Sequence, residues 1–394
     1  MVPRIRQVQI QNYKSIERAV VDLEPFTVFV GPNGAGKSNF VDALAFVQEC
    51  LAESVQHAWN RRHRSSLLPV WMDEPVSFGI KLIIDLGESQ SAEYAFEIAS
   101  ENDQCRVIHE KCIVWRPEGI ADFELADGRF MKEISGIRPK LAANRLALFA
   151  ASATEEFSPL YDFLTSMRSY SINPHRLRQW QEVDAGLLLE PDGRNAASVL
   201  AHLRNGAGDK EHYELLRTLL SRAVVGVQGI DVTSVEGRAI LEFEMDVGTE
   251  QSGHLAATEM SDGTLRILGL LLAVFQVQQP SVLIIEEPEA TVHPAIAELI
   301  LQVLLHAAYN CQVLITTHSA DILDEKEVSD DQLRVVTMEN GRTIIAPVSR
   351  ASRQAIRERL YTFGELLRID ELGQDIEAAQ TAAKRLDLFN EVSI

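Results

Sequence analysis

Two kinds of pattern alternate along the chain: short apolar runs of strand length, and stretches whose apolar residues recur every three or four positions. Residues 4–10 alternate polar and apolar side chains (Ile5, Val8, Ile10), which predicts a half-buried strand, and 19–23 reads as a second. FTVFV, at Phe26 to Val30, is continuously apolar, as expected of a strand covered on both faces. It runs into GPNGAGKSN, after which Phe40, Ala43, Leu44, Phe46 and Val47 fall at helical spacing. Residues 55–75 are irregular, with a basic cluster at Arg61, Arg62, His63 and Arg64. Stretches 76–86, 92–99 and 106–115 predict an antiparallel meander. From 141 to 220 the pattern is helical, with breaks at 171–176 and 190–195, and 233–247 returns to strand-like alternation. A helical stretch at 264–278, a buried strand at 281–289, a helix at 294–309 and a strand at 311–319 follow. Asn340-Gly341 marks a tight hairpin. The remainder, from about 350, is helical and mixed in charge.

This order predicts an α/β fold with an antiparallel β subdomain and an inserted helical lobe. The expected parts are 1–140, 141–225 for the lobe, 226–348, and a helical segment at 349–394. No internal repeat or Gly/Ser linker is visible, and no heptad pattern persists long enough for a long coiled coil.

Charge narrows the choice of partner. The 394 residues hold 37 basic and 57 acidic side chains, a net charge of −20. Such a balance opposes non-specific attraction to nucleic acid or anionic membrane, so a basic groove would have to be assembled by folding or supplied by a partner. The four cysteines (Cys50, Cys105, Cys112, Cys311) are scattered and fit reduced thiols better than a disulfide frame or a zinc site. No uncharged apolar stretch reaches membrane-spanning length, and the start MVPRIRQVQI is strand-like. The expectation is an acidic, cytoplasmic protein without a membrane partner.

Four motifs carry chemistry. The first is Gly31-Pro32-Asn33-Gly34-Ala35-Gly36-Lys37-Ser38, followed by Asn39. Glycines let a chain wrap tightly around phosphate, and the helix that follows offers the positive end of its dipole. Lys37 would place a charge on the outer phosphates and the Ser38 hydroxyl would bind Mg²⁺. A mere strand-to-helix turn would not require every one of these residues. The second is VLIIEEP, ending a buried strand in Glu286 and Glu287. Paired carboxylates there are costly unless they meet a cation or a proton-transfer task. Glu286 would help hold Mg²⁺ and Glu287 would act as general base toward water. The competing reading is a solvated acidic turn, which the phosphate loop in the same chain disfavours.

The third motif is Thr316-Thr317-His318-Ser319, at the end of the next strand, where parallel sheets gather ligand contacts. His318 could reach the γ-phosphate or the attacking water, or serve as a simple cap. The fourth is Met260-Ser261-Asp262-Gly263-Thr264, directly before a helix. Ser261 and Gly263 suit a phosphate-gripping N-terminus, but taken alone they fit an ordinary N-cap better.

In this order and with these flanks, the motifs resemble the ATP-binding-cassette type of ATPase head, most nearly its RecF, SMC and OLD branch. The stretches that carry the resemblance are IQNYKSIERAVVDLEPFTVFVGPNGAGKSN, MSDGTLR, LIIEEPEATVHP and ITTHS, within residues 1–48 and 258–320. It implies ATP and Mg²⁺ as ligands and hydrolysis of ATP. It also implies a head-to-tail, ATP-dependent homodimer in which Ser261 and Gly263 reach the γ-phosphate held by the opposite subunit. His318 then corresponds to the switch histidine, EATVHP with His293 to the loop across the dimer seam, and Lys14-Ser15 to the basic-polar turn near the nucleotide. Thr264 and Glu286 depart from the usual Gln and Asp, and no glutamine loop can be placed; Gln48 lies on the predicted helix.

The interval between Lys37 and Ser261 is too short for an SMC coiled coil and longer than in most transporter cassettes. In related proteins such free-standing heads pair with a nuclease or toxin in defence against phage or plasmids. A partner effector, in an assembly of dimers or larger, is therefore the first expectation, and direct action on DNA, in the RecF manner, is its rival. Arg61, Arg62 and Arg64 could touch phosphates or sit in a solvated turn or interface. Arg168, Arg176 and Arg178 beside Tyr170 and Trp180 could suit single strands or simply pack the lobe. The segment YTFGELLRIDELG could dock a partner or its own domain.

Overall fold

The computed structural model describes residues 2–62, 76–101, 104–136, 138–206, 210–246, 248, 253–293, 296–324 and 327–390. The basic positions His63 and Arg64 lie outside them. The chain divides into two compact units, residues 1–167 with 326–394, and residues 168–325.

In the first unit, seven strands form an antiparallel sheet: Ile16–Asp22 at one edge, then Arg4–Tyr13, Val76–Gly87, Gln90–Glu101, Gln104–Arg116, Gly119–Ala126 and Arg129–Lys132. Alternate residues of the long strands, among them Ile80, Leu82, Tyr94, Phe96, Cys112 and Val114, are wholly buried. A second set of strands holds the phosphate loop. Phe26–Val30, buried at every position, pairs in parallel with Leu333–Glu339, whose other neighbour is the hairpin strand Arg342–Pro347. The helix Lys37–Ala52 buries Phe40, Ala43, Leu44, Phe46 and Val47, the residues whose spacing predicted it. Phe46 meets Tyr13 and Phe78 at ring separations of 5.8 and 5.4 Å, and Phe40 meets Phe29 at 4.6 Å. Aromatic contacts of this kind tie the helix to the strand before the loop and to the antiparallel sheet.

In the second unit, Val282–Glu286 pairs in parallel with Gln312–Thr317 on one side and Arg168–Tyr170 on the other. Gln181–Glu182, Arg238–Met245, Val227–Val235 and Gly253–Ala256 form a separate antiparallel sheet. The helix Asp262–Phe275 is buried along almost its whole length. The stretch expected to be helical from 141 to 220 therefore contains two short strands besides its helices. Arg168–Tyr170 is a strand because it completes a parallel ladder with residues distant in sequence, a tertiary pairing that outweighs local propensity. All four cysteines are buried and free.

One buried charge has a measurable consequence. Glu110 is inaccessible and accepts hydrogen bonds from the Tyr94 hydroxyl (2.9 Å) and the amides of Ala147 (2.5 Å) and Leu148 (2.9 Å), at the start of the helix Ala147–Ala151. Burial pushes its carboxyl up to about 7, against the pull of these donors. The raised folded-state value means that the group's stabilising share is complete below its ordinary value of 4.5 and is lost as pH rises through about 7. The fall across that window is about 3 kcal/mol. Urea melts from pH 4.5 to 8 should show this slope, and Glu110→Gln should flatten it; an unchanged slope in the variant would refute the assignment.

Candidate functional site

In the first unit the glycine loop closes over the helix Lys37–Ala52. Gly36 caps that helix with φ at +102°, a left-handed backbone that favours glycine, and a Cβ there would lie 1.9 Å from Thr343 Oγ1. A glycine cap also supplies no side-chain oxygen to the first turn, the usual internal competitor for an anion. Lys37 is buried, and its Nζ donates to the carbonyls of Gly31 (2.7 Å) and Pro32 (3.1 Å), so the ammonium spans the loop from within.

Three segments distant in sequence brace the loop. The Thr343 hydroxyl donates to the Ala35 carbonyl (3.0 Å) and lies 2.6 Å from Ser15 Oγ, which in turn accepts from Asn39 Nδ2 at 2.5 Å. Thr343 N donates to Ser15 O at 2.8 Å. Residues 31–39 and Ser15 are thus brought together, as the sequence suggested; Thr343 was not foreseen. Lys14, at φ +50°, turns to Asp42 on the loop's helix, 2.6 Å away. Asp42 also accepts from the Tyr13 hydroxyl (2.6 Å) and Arg62 Nε (2.8 Å). Burial alone would raise the Asp42 carboxyl, but Arg62 and Lys14 outweigh it and hold the group below its usual range. Arg62 has only 9% of its side chain exposed and pairs as well with Glu49 at 2.6 Å. Contrary to the expectation from sequence, Arg62 is thus neither solvated nor open to phosphate but an anchor for the helix that follows the loop, because folding supplies Asp42 and Glu49 as its partners.

In the second unit Glu286 ends its strand beside Thr316, its register partner on the neighbouring strand. Glu287 follows in a left-handed conformation, φ +46°, which costs a non-glycine residue roughly 1–2 kcal/mol. Its amide donates to Thr316 O at 3.0 Å, and its Oε1 lies 3.4 Å from His318 Nδ1, an ion pair when the imidazole is protonated. Both side chains are more than a third exposed. Beneath them Thr317 Oγ1 donates to Glu289 Oε1 (2.5 Å) and accepts from the Ser319 amide (2.9 Å). Burial raises the Glu289 carboxyl above its ordinary value. The Glu287–His318 couple is therefore mounted on two parallel strand ends with a half-buried Thr317–Glu289 contact below.

Ser261 caps the helix Asp262–Phe275, accepting from Thr264 N at 3.1 Å and lying 2.8 Å from Thr264 Oγ1. Gly263 packs so tightly that a Cβ would sit 2.7 Å from the Thr291 carbonyl, in the EATVHP loop. Arg178 fixes the entry to this turn, donating to Met260 O (2.8 Å) and pairing with Asp262 (2.5 Å). Gln48 donates to Thr165 O at 3.3 Å and takes no place in the glycine loop. Among the described residues no cluster of His, Cys, Asp and Glu forms a ready metal cage, and no helix is long and apolar enough to cross a membrane.

Residues 4–112 match the model of the AAA ATPase domain, and residues 148–324 match the model described as "AAA domain, putative AbiEii toxin, Type IV TA system". The chain is 46% identical over 44 residues to the chromosome partition protein Smc of Methanocaldococcus jannaschii and 44% identical over 46 residues to structural maintenance of chromosomes protein 1 of Schizosaccharomyces pombe. Each match covers 11% of this chain and 4% of the relative. Its fold is similar to that of the Smc head domain with an extended coiled coil, bound to the C-terminal domain of ScpA, derived from Pyrococcus furiosus. That similarity has a TM-score of 0.52 at 14% identity and covers 91% of this chain and 100% of the other. Models of AAA-type ATPase domains thus match both parts of the sequence, and the fold is similar to that of an Smc head.

Proposed function

We propose that the chain binds ATP with Mg²⁺, dimerises head to tail around two nucleotides, and uses their hydrolysis to govern a partner effector, a nuclease or toxin. The observation that carries the reading is the left-handed Glu287 with its carboxylate 3.4 Å from His318. Strain at a residue bearing a reactive group is retained where geometry matters more than stability. In this scheme Glu287 polarises the water that attacks the γ-phosphorus, Lys37 neutralises charge on the γ-phosphoryl oxygens, and His318 holds Glu287 in place and senses loss of phosphate. Ser38 and Glu286 would hold Mg²⁺, which when bound offsets charge on the β- and γ-phosphates. Ser261 and Gly263 would contact the γ-phosphate bound by the other copy. ATP then adds contacts between copies that ADP lacks, and the dimer follows nucleotide state.

The effector reading draws support from the toxin-system model matched by residues 148–324 and from the net charge of −20. The solved Smc head bound to part of ScpA gives a precedent for a protein partner. A second reading, action on DNA itself, is favoured by the chromosome partition and maintenance relatives. The test is purification of Glu287→Gln from its native host with ATP, followed by native mass spectrometry. A dimer with a second protein at fixed stoichiometry supports the first reading. A dimer carrying only nucleic acid, with strongly salt-dependent affinity, replaces it with the second. A Glu287→Gln chain that stays monomeric with ATP would sink the dimer scheme, whereas adding Ser261→Arg to it is expected to break the dimer.

A further inference from the structure

One face of the seven-stranded sheet is core. On the other, the register sets Lys81 opposite Ala95 and Ala95 opposite Lys111, with Gly79, Glu97 and His109 in the adjacent row. Across this face runs the segment 386–390, Leu-Asp-Leu-Phe-Asn, which belongs to no helix or strand.

Three cations from three different strands donate to its main-chain carbonyls. Arg18 reaches Leu386 O at 2.6 Å, Lys111 reaches Phe389 O at 3.1 Å, and Lys81 reaches Asn390 O at 2.7 Å. Leu388 is buried over Gly79, so close that a Cβ on that glycine would lie 2.3 Å from Leu388 Cδ1. The Phe389 ring stacks on His109 with centroids 3.6 Å apart and planes 15° from parallel. Asp387 shapes the segment, accepting from the amides of Phe389 and Asn390, each at 3.1 Å.

Any packed segment needs partners for its carbonyls; this one takes them from three side-chain cations on three strands, of which Lys81 also pairs with Glu93 at 2.7 Å. Here cations read the peptide backbone, a glycine-floored slot reads Leu388 and an imidazole reads an aromatic ring. That division between main-chain contacts for affinity and pockets for specificity is how peptide-binding domains work. We infer that this face is a peptide-recognition site for segments of Asp-Leu-aromatic-Asn chemistry, that residues 386–390 occupy it as a built-in competitor, and that a partner protein bearing such a segment docks by displacing them. The inference does not rest on the ATPase chemistry. A short tether presents its own ligand at about millimolar effective concentration, so occupancy by the chain's own segment implies an intrinsic Kd below that level.

The test uses the full chain and a fluorescent peptide of residues 385–390. With Leu388→Ala and Phe389→Ala together the site is vacated, and anisotropy should report a Kd below about 1 mM, at least about tenfold tighter than for the unsubstituted chain. Adding Lys111→Glu should abolish binding. The inference fails if the vacated chain binds no better than the unsubstituted one, or if a peptide with Asp in place of Leu388 binds equally well. Should the double variant lose its cooperative melt, the unsubstituted chain still decides by hydrogen exchange. Saturating peptide should speed exchange at the Asn390 amide, and unchanged exchange overturns the proposal.

Discussion

Glu287→Gln is expected to keep ATP binding while lowering turnover by about 10²- to 10⁴-fold, the range for removing a positioned general base. The substitution conserves shape, and the contacts that hold residue 287 left-handed are main-chain ones: its amide on Thr316 O at 3.0 Å persists whatever the side chain. Lost are the carboxylate's basicity and its charge beside His318, 3.4 Å away. Affinity for ATP should therefore remain close to that of the unsubstituted chain while phosphate release in a single turnover slows. His318→Ala is expected to be milder, because the imidazole acts through Glu287 in this scheme and not on the phosphorus. Turnover by Glu287→Gln within tenfold of the unsubstituted chain would reassign the base, and the half-buried Glu289 would be the next residue to test.

Much of the glycine loop in one unit and of the Glu287–His318 couple in the other is legible in sequence because their groups are covalent neighbours. The glycine loop with Lys37 and Ser38, the Glu286-Glu287 pair at a strand end and His318 one strand later all announce themselves through short motifs flanked by apolar runs. What braces them is not local. Thr343 lies far from Ser15 and Ala35 in sequence, and only the parallel pairing of Phe26–Val30 with Leu333–Glu339 brings its hairpin beneath the loop. Arg62 reads as part of an exposed basic cluster until folding supplies Asp42 and Glu49, because a charge run says nothing about which carboxylates will meet it. Arg178 similarly resolves into a clamp on Met260 and Asp262. The strands Gly119–Ala126 and Arg129–Lys132 go unforecast because their burial pattern is weak, although Asp127-Gly128 between them, both at positive φ, is a hairpin signal open to inspection. The Ser261 turn shows the opposite limit. Its geometry is that of an ordinary N-cap, and only the resemblance of MSDGTLR to a signature segment distinguishes it from one.

Lys37→Ala should show the reverse of the Glu287→Gln pattern. The Lys37 ammonium is held by two loop carbonyls, at 2.7 and 3.1 Å, and a phosphate ligand would replace these partial charges with full ones. Removing it takes away the loop's own cation and a brace across Gly31 and Pro32. ATP affinity is expected to fall by at least about 10²-fold, equivalent to about 3 kcal/mol or the loss of one to two charge-assisted hydrogen bonds. Thermal denaturation with and without ATP separates the two variants in one experiment, since a ligand that binds only the folded state stabilises it by RT ln(1 + [L]/Kd). At ATP 100-fold above its Kd the gain is about 2.7 kcal/mol, so Glu287→Gln should gain that amount and keep it through prolonged incubation. Lys37→Ala should gain less than about 0.5 kcal/mol at the same concentration, because its Kd has risen past the ligand supplied. Its ligand-free stability should lie about 1–3 kcal/mol below that of the unsubstituted chain, the worth of the lost brace, so the comparison is of each variant with and without ATP. A full ATP-dependent shift in Lys37→Ala would mean that nucleotide binds elsewhere on the chain, and the glycine loop would lose its assignment together with the lysine.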